Sequence, residues 1–194
     1  MDEIRRQFET SIAVKQAMLN APSLLLQLQH LGEACLQAMR VGGRVLFAGN
    51  GGSFADAQHL SAEFTSRLMF DRSPLPSLAL GTNSSAMSAI GNDYGYDQVF
   101  ARELQAIAKR EDVFIPISTS GNSPNVLAAV RVAQAAKVTT VAWTGASGGQ
   151  LKELCECICV PSSETPRIQE CHVLMGHVLC GVVEAAYFRT GVQV

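Results

Sequence analysis

Five short apolar runs, set apart by stretches of helical spacing, leave this chain few architectures to adopt. They are Val45-Leu46-Phe47-Ala48, Ser77-Leu78-Ala79-Leu80, Val113-Phe114-Ile115-Pro116-Ile117, Val138-Thr139-Thr140-Val141-Ala142-Trp143 and Cys157-Ile158-Cys159-Val160. Helices are predicted between them over about 53–70, 84–108 and 123–136, with a last one over about 165–189. Apolar strands that alternate with helices build a parallel sheet covered on both faces. The expected fold is α/β, a five-stranded parallel sheet flanked by helices. Pro116 is discordant, because a proline cannot donate to a strand ladder. Ahead of the first strand, residues 3–41 read as two helices broken at Asn20-Ala21-Pro22-Ser23. Leu24, Leu25, Leu28 and Leu31 follow helical spacing there, Ala34, Cys35 and Ala38 extend the apolar face, and Gly42-Gly43 ends it. No linker or low-complexity segment divides the chain. Residues 1–194 are expected to form one domain with an N-terminal helical segment over about 1–41.

Charge narrows the partners. Fifteen Lys and Arg against seventeen Asp and Glu leave a formal charge of −2, which gives no electrostatic case for nucleic acid or a membrane surface. No stretch reaches the ~18 consecutive apolar residues that a span requires. With 47% hydrophobic and 16% charged residues, a well-buried protein with some surface hidden in an oligomer is expected. The N-terminus Met1-Asp2-Glu3-Ile4-Arg5-Arg6 lacks a secretory pattern, so the expected setting is cytoplasmic. The six cysteines then read as reduced thiols. Cys155, Cys157 and Cys159 alternate along one strand face and are poorly placed to bridge each other. A cysteine-only zinc site lacks its second CxxC pair.

Two turns carry the binding chemistry. In open parallel sheets, ligands sit beyond the carboxyl ends of the strands. Asn50-Gly51-Gly52-Ser53 stands at one such end; its glycines admit close backbone approach, and Ser53 is a plausible N-cap for the helix that follows. Ser118-Thr119-Ser120-Gly121-Asn122-Ser123 stands at another, with four hydroxyls in six residues directly before a helix. Free N–H groups at a helix start favour an anion, and hydroxyls suit a phosphate monoester that must leave again. One such turn alone is no more than a capped helix; two at one sheet edge argue for an anion site. No Walker lysine follows either turn, and Gly49-Asn50-Gly51-Gly52 lacks the G-x-G-x-x-G spacing of a dinucleotide site.

His59 and Glu63 share a helix face at i, i+4, which suits a metal or a proton relay but also a plain hydrogen bond. The last helix adds His172 and His177, with Gln169 and Glu170 near its start. At 100° per residue Glu170 lies closest in angle to His177, and Gln169 about 80° away. A neutral Gln is also a weak zinc ligand beside His or carboxylate. Spacing therefore nominates Glu170 as the companion of His177 and leaves the ligand set open.

Taken in order, Gly49-Asn50-Gly51-Gly52-Ser53, Asp56-Ala57-Gln58-His59, Glu63, Gly91-Asn92-Asp93, the 118–123 loop and Arg167-Ile168-Gln169-Glu170 with His177 resemble the phosphoheptose isomerase family of the sugar-isomerase (SIS) fold. The resemblance spans nearly the whole chain, although the Ser-rich loop alone would indicate only the broader fold. It implies a flavodoxin-like SIS fold, a homotetramer, and zinc held by His59, Glu63, Gln169 and His177. It implies contacts to a phosphosugar from Asn50, Gly51, Gly52, Glu63, Asn92, Asp93, Ser118, Thr119, Ser120, Ser123 and Gln169, with Ser53 near the phosphate. Gln169 rather than Glu170 follows from the resemblance and not from the helical angle. Pro166 departs from the family, where some relatives carry an Asp.

The reaction implied is isomerisation of sedoheptulose 7-phosphate to D-glycero-D-manno-heptose 7-phosphate through a zinc-stabilised enediol(ate). That is the first step toward heptose precursors of lipopolysaccharide or another glycoconjugate. Glu63 and His177 are the candidate acid and base. Three rivals stand beside it: a non-catalytic SIS protein binding the replication initiator DnaA, a sugar-phosphate sensing domain, and an isomerase of another ketose phosphate. The first lacks the full acid/base set that this chain keeps. The second usually comes fused to a DNA-binding module, for which this chain has no room. The third stays open, since the loops specify a phosphate more clearly than a carbon number.

Overall fold

The computed structural model describes residues 1–189; residues 190–194 of the expected domain lie outside it. The elements run α1 (Asp2–Leu19), α2 (Pro22–Arg40), β1 (Val45–Gly49), α3 (Gly52–Thr65), β2 (Ser77–Ala79), α4 (Ser84–Tyr94), a 3-10 turn (Tyr96–Gln98), α5 (Val99–Ile107), β3 (Val113–Ile117), α6 (Pro124–Ala135), β4 (Thr139–Thr144), α7 (Leu151–Leu154), β5 (Glu156–Cys159) and α8 (Thr165–Arg189). All five strands pair in parallel, in the order β2-β1-β3-β4-β5. This is the flavodoxin-like doubly wound order.

Period-two alternation divides the core. Val45 and Phe47 of β1 face α2, α3 and α8, while Leu46 and Ala48 face α5 and α6. Phe47, Phe114 and Trp143 are fully buried, each stabilising the fold by roughly 1.5–3 kcal/mol relative to exposure. Helix α3 leaves β1 on one face of the sheet and α6 leaves β3 on the other. Because β1 and β3 are neighbours, their C-terminal ends open a crevice where the strand order reverses.

Local departures have local causes. The single helix expected over 84–108 is two, because Gly95 takes φ 87°, which no helix can continue. Helix α3 stops at Thr65 instead of about 70, where the Arg72 guanidinium takes the carbonyls of Glu63 and Phe64. Pro116 occupies a central strand after all. It pairs in register with Ala48, but the β3–β4 ladder runs Val113–Thr139 and Phe114–Thr140 and resumes only at Ile117–Trp143. The residue without an N–H falls in that gap. Pro166 sits in the first turn of α8, where a missing N–H costs nothing.

Helix α8 corrects the hydropathy reading. Over Thr165–Phe188 it is long and apolar enough, by length and mean hydropathy, to cross a membrane. In this fold it lies against α2 and α3, with His172 and Glu184 fully buried along it.

His172 makes the stability pH-dependent. Its Nε2 lies 3.3 Å from the Thr144 carbonyl oxygen. Burial depresses its pKa from 6.5 to about 4, against the opposing pull of that carbonyl. Between those values the unfolded chain binds a proton that the folded chain does not. The contribution is complete above pH 6.5 and is lost as pH falls through the window to about 4. Urea denaturation at pH 7 and pH 4 should show a loss of about 3 kcal/mol from this group, absent in His172→Gln. An unchanged pH slope in the variant would rule out a neutral, buried His172.

Candidate active site

The crevice between β1 and β3 is walled by two turns. In the first, Gly51 adopts φ 56° and ψ −120° and is the N-cap of α3. That conformation puts the cap two residues ahead of the one expected. Ser53 is therefore not the cap: it is buried inside the first turn, its N–H donating to the Asn50 carbonyl at 3.0 Å. No side chain caps α3. The Asn50 side chain makes a reciprocal amide pair with Asn125 at 2.8 and 2.9 Å and accepts from the Tyr96 hydroxyl at 3.2 Å. Asn50 thus ties the first turn to α6.

In the second turn, Ser118 Oγ lies 3.0 Å from Ser123 Oγ and 3.5 Å from Ser120 Oγ. Ser123 is the N-cap of α6, yet its hydroxyl bonds to no amide of that helix and turns into the loop. The free amides of α6 and a cluster of hydroxyls face the same space, which is the chemistry of an anion cradle. The loop is braced from behind. Gly145 N donates to the Thr119 carbonyl at 2.9 Å, Gln150 N to Asn122 Oδ1 at 3.0 Å, and Leu151 N to the Gly121 carbonyl at 3.1 Å. A Cβ on Gly121 would lie 2.1 Å from the Gly148 carbonyl oxygen, so only glycine fits there. Beside the loop, a cleft of about 300 Å³ is lined by Thr119 and Ser120 together with Ser147, Ser162, Ser163 and Thr165.

The helices α3 and α8 run parallel and close. A Cβ on Gly52 would meet the Gln169 amide at 2.5 Å, and one on Gly176 would meet the Leu60 side chain at 2.3 Å. Gly176 lets the two helices approach, and beside it His177 Nε2 lies 2.8 Å from His59 Nε2. Glu63 Oε1 is 3.3 Å from His59 Nε2. One ligand atom from each of His59, Glu63 and His177 lies within 4.8 Å of the others, a group that could hold a metal ion. Donors bound tetrahedrally to zinc at about 2.0–2.1 Å sit roughly 3.3 Å apart, so the donor set fits that ion. The His59 side chain is 49% exposed and Glu63 19% exposed, leaving the cluster open on one side. One turn before His59, Asp56 has a buried Oδ2 without a protein partner. Burial pushes that carboxyl up, and His59 partly offsets the shift.

Glu170 is not the companion of His177. It accepts from Ser11 Oγ at 2.6 Å and pairs with Arg167 at 2.7 Å and Lys15 at 3.4 Å. The helical angle misled because α1, remote in sequence, claims that face. Gln169 instead lies against the start of α3. Asn92 and Asp93 are bonded to each other at 2.8 Å on an exposed turn of α4. The nearby Tyr96 reaches Asn50, but no bond joins Asn92 or Asp93 themselves to the crevice among the described residues. Asn125, Tyr96 and Gly176 escaped the sequence reading. Asn125 directly follows Ser123-Pro124 and was within reach of it; the pairing of Gly176 with Leu60 was not. All six cysteines are free, and those of 155–159 join no metal-competent group among the described residues.

Comparison with known proteins identifies the family. A family model described as SIS domain matches residues 11–145. The phosphoheptose isomerase of Aneurinibacillus thermoaerophilus is 49% identical over 189 residues, covering 97% of this chain and 96% of that protein. The phosphoheptose isomerase of Burkholderia pseudomallei (strain 1710b) is 51% identical over 176 residues, covering 90% and 89%. The solved structure of phosphoheptose isomerase from Neisseria gonorrhoeae superposes with a TM-score of 0.88 at 38% identity, covering 95% of this chain and 98% of that one. By sequence, fold and the order of its motifs, this chain belongs to the SIS-domain family, as an enzyme of its phosphoheptose isomerase branch.

Proposed function

We propose that the chain converts sedoheptulose 7-phosphate to D-glycero-D-manno-heptose 7-phosphate, supplying the first heptose precursor of a glycoconjugate such as lipopolysaccharide. The observation that carries the reading is the convergence of His59, Glu63 and His177 on α3 and α8, where α3 starts at one of two turns that lack a side-chain cap and the other turn is hydroxyl-rich. His59, Glu63 and His177 would hold zinc, and Gln169, whose amide lies against Gly52, is the fourth donor that the family resemblance implies. Bound there, zinc would supply Lewis-acid chemistry to the reaction.

The protein's own groups do the rest. The amides of α6 and the hydroxyls of Ser118, Thr119, Ser120 and Ser123 take the phosphate, with Ser53 close by, and fix one end of the substrate. The backbone of Asn50, Gly51 and Gly52, with Asn92, Asp93 and Gln169, contacts the sugar. Glu63 and His177 divide two proton transfers: one takes the proton from C1, and the other returns a proton to C2 of the enediol(ate). The enediol's O1 proton leaves as the aldehyde forms, and O2 ends protonated, so the reaction consumes nothing. Six free thiols suit a reducing, cytoplasmic setting. Exposed stripes at Ile4, Phe8 and Ile12 on α1 and at Leu174, Val178 and Val182 on α8 offer apolar faces for a homotetramer.

The deciding experiment is an NMR assay with sedoheptulose 7-phosphate beside shorter ketose phosphates. Turnover of a shorter substrate alone would overturn the substrate assignment. Exhaustive chelation should abolish turnover, and added zinc should restore it; full activity in metal-free protein, checked by elemental analysis, would sink the metal. Glu63→Gln and His177→Gln should each lower kcat roughly 10²–10⁴-fold with an unchanged circular dichroism spectrum. Ser120→Ala and Ser123→Ala should each raise KM roughly tenfold, the loss of one hydrogen bond to a charged group. An unchanged KM in both would place the phosphate elsewhere.

A further inference from the structure

The α3–α8 pair is fastened at a third point, below the metal-competent cluster. Helix α3 ends at Thr65, and its last carbonyls need partners. Arg72, from the loop that follows, turns back and supplies them. Its Nη2 donates to the Glu63 carbonyl at 2.8 Å, and its Nη1 to the carbonyls of Phe64, Ser66 and Ser73 at 2.6, 2.9 and 3.1 Å. Its Nε donates to Glu184 Oε1 on α8 at 2.9 Å. Glu184 also accepts from the Leu68 and Met69 N–H groups at 3.0 and 2.8 Å. The Arg72 and Glu184 side chains are 2% and 1% exposed. The guanidinium lies 5.7 Å from the Phe188 ring centroid.

The connection is specific in what it joins. On one side it holds the backbone of Glu63 itself, one turn beyond His59. On the other it holds Glu184, two turns beyond His177 on the same helix. All three ligand side chains lie within a turn of the close contact at Gly176 and Leu60, and Glu63 and His177 lie between that contact and this fastening. An ion pair this deeply buried is weak support for stability, because desolvation offsets most of its attraction. Its geometry, with the guanidinium spread over the end of α3, is suited to fixing position.

Resting on the metal-site reading above, we infer that Arg72 and Glu184 are positioning residues: they hold α3 against α8 at the distance at which Glu63, His59 and His177 converge on one cation. Neither touches the substrate or the ion. Their contribution is preorganisation of the donor set, of the kind whose loss lowers metal affinity or activity roughly 10–100-fold.

The test uses the full chain, stripped of metal and titrated with zinc and with cobalt(II) against a chromophoric chelator. The double variant Arg72→Met/Glu184→Gln removes both buried charges together and keeps one of the two acceptor oxygens that serve Leu68 and Met69, so no lone charge is left inside. Leu104→Ala, in the core on the other face of the sheet, serves as a control that loses stability without touching α3 or α8. The double variant is expected to fold, to bind both metals roughly 10–100-fold more weakly, to shift the cobalt(II) absorption bands, and to lose kcat with little change in KM. The control is expected to keep parental metal affinity. Parental affinity and spectrum in the double variant, or an equal loss of affinity in Leu104→Ala, would overturn the inference while leaving the metal site standing. A parent chain that binds no metal would overturn the metal reading itself, before any variant is compared. Should the double variant fail to fold, Arg72→Lys decides. It keeps the charge but not the fork, and parental metal affinity there would equally overturn the inference.

Discussion

Close parallel packing of α3 against α8 is the constraint on which this site depends. His59 and Glu63 lie on one helix and His177 on another, more than a hundred residues away in sequence. Their side chains meet only because the helix backbones approach closely, and a backbone approaches that closely only where a neighbour lacks a side chain. Gly52 admits the Gln169 amide, and Gly176 admits Leu60. The contacts advance together along both helices, so the pair is aligned along its length and not merely crossed. A Cβ at Gly176 would drive into the buried Leu60 side chain and wedge the helices apart, whereas one at Gly52 would displace the end of the Gln169 side chain.

The sheet supplies the complementary half. Parallel strands deliver every following helix with its N-terminus at one edge, and the reversal of strand order between β1 and β3 parts two of those helices. Both α3 and α6 begin there without a side-chain cap. A helix start without a cap forgoes stability, typically ~1 kcal/mol. Helices α1, α2 and α5 also lack a side-chain cap, so what sets these two starts apart is that both open on one crevice. The Ser123 hydroxyl turns toward Ser118 instead of to its own helix, which leaves the amides of α6 for an anion. Neutral hydroxyls and amides hold a dianionic group without a fixed cation, which favours release as well as capture.

What was legible in the sequence was local. The strands stand within a residue or so of where their apolar runs lie, since both faces of a parallel sheet are buried and the runs are unbroken. The two turns were legible because glycine and serine at a strand end have few other uses. What failed was non-local. Gly95 broke a helix that hydropathy carried straight through it. Arg72, an ordinary loop arginine by sequence, closes the end of α3 from a buried position. Ser53 looked like a cap only because the backbone conformation of Gly51 cannot be read from its neighbours.

Glu170 shows most clearly why helical angle could not choose the ligands. On an isolated helix it is the better partner for His177. In the fold, α1 crosses that side of α8, and Ser11, Lys15 and Arg167 surround the carboxylate. Burial alone would raise its pKa, but these partners hold it below the ordinary carboxylate value, so it stays ionised and engaged. Arg167 also donates to the Gln7 carbonyl at 2.7 Å, fixing α1 to the same turn. The N-terminal helix therefore decides which of two adjacent residues is free to face the site, and it leaves the neutral one. That choice matters electrostatically. On the proposed reading, a dication held by two imidazoles, an amide and the single carboxylate of Glu63 keeps a net positive charge, whereas a second carboxylate would cancel it. A residual positive charge there would supply electrostatic stabilisation to negative charge that develops on a bound substrate. The neutrality of Gln169, which counted against it as a ligand on affinity alone, favours it on chemistry.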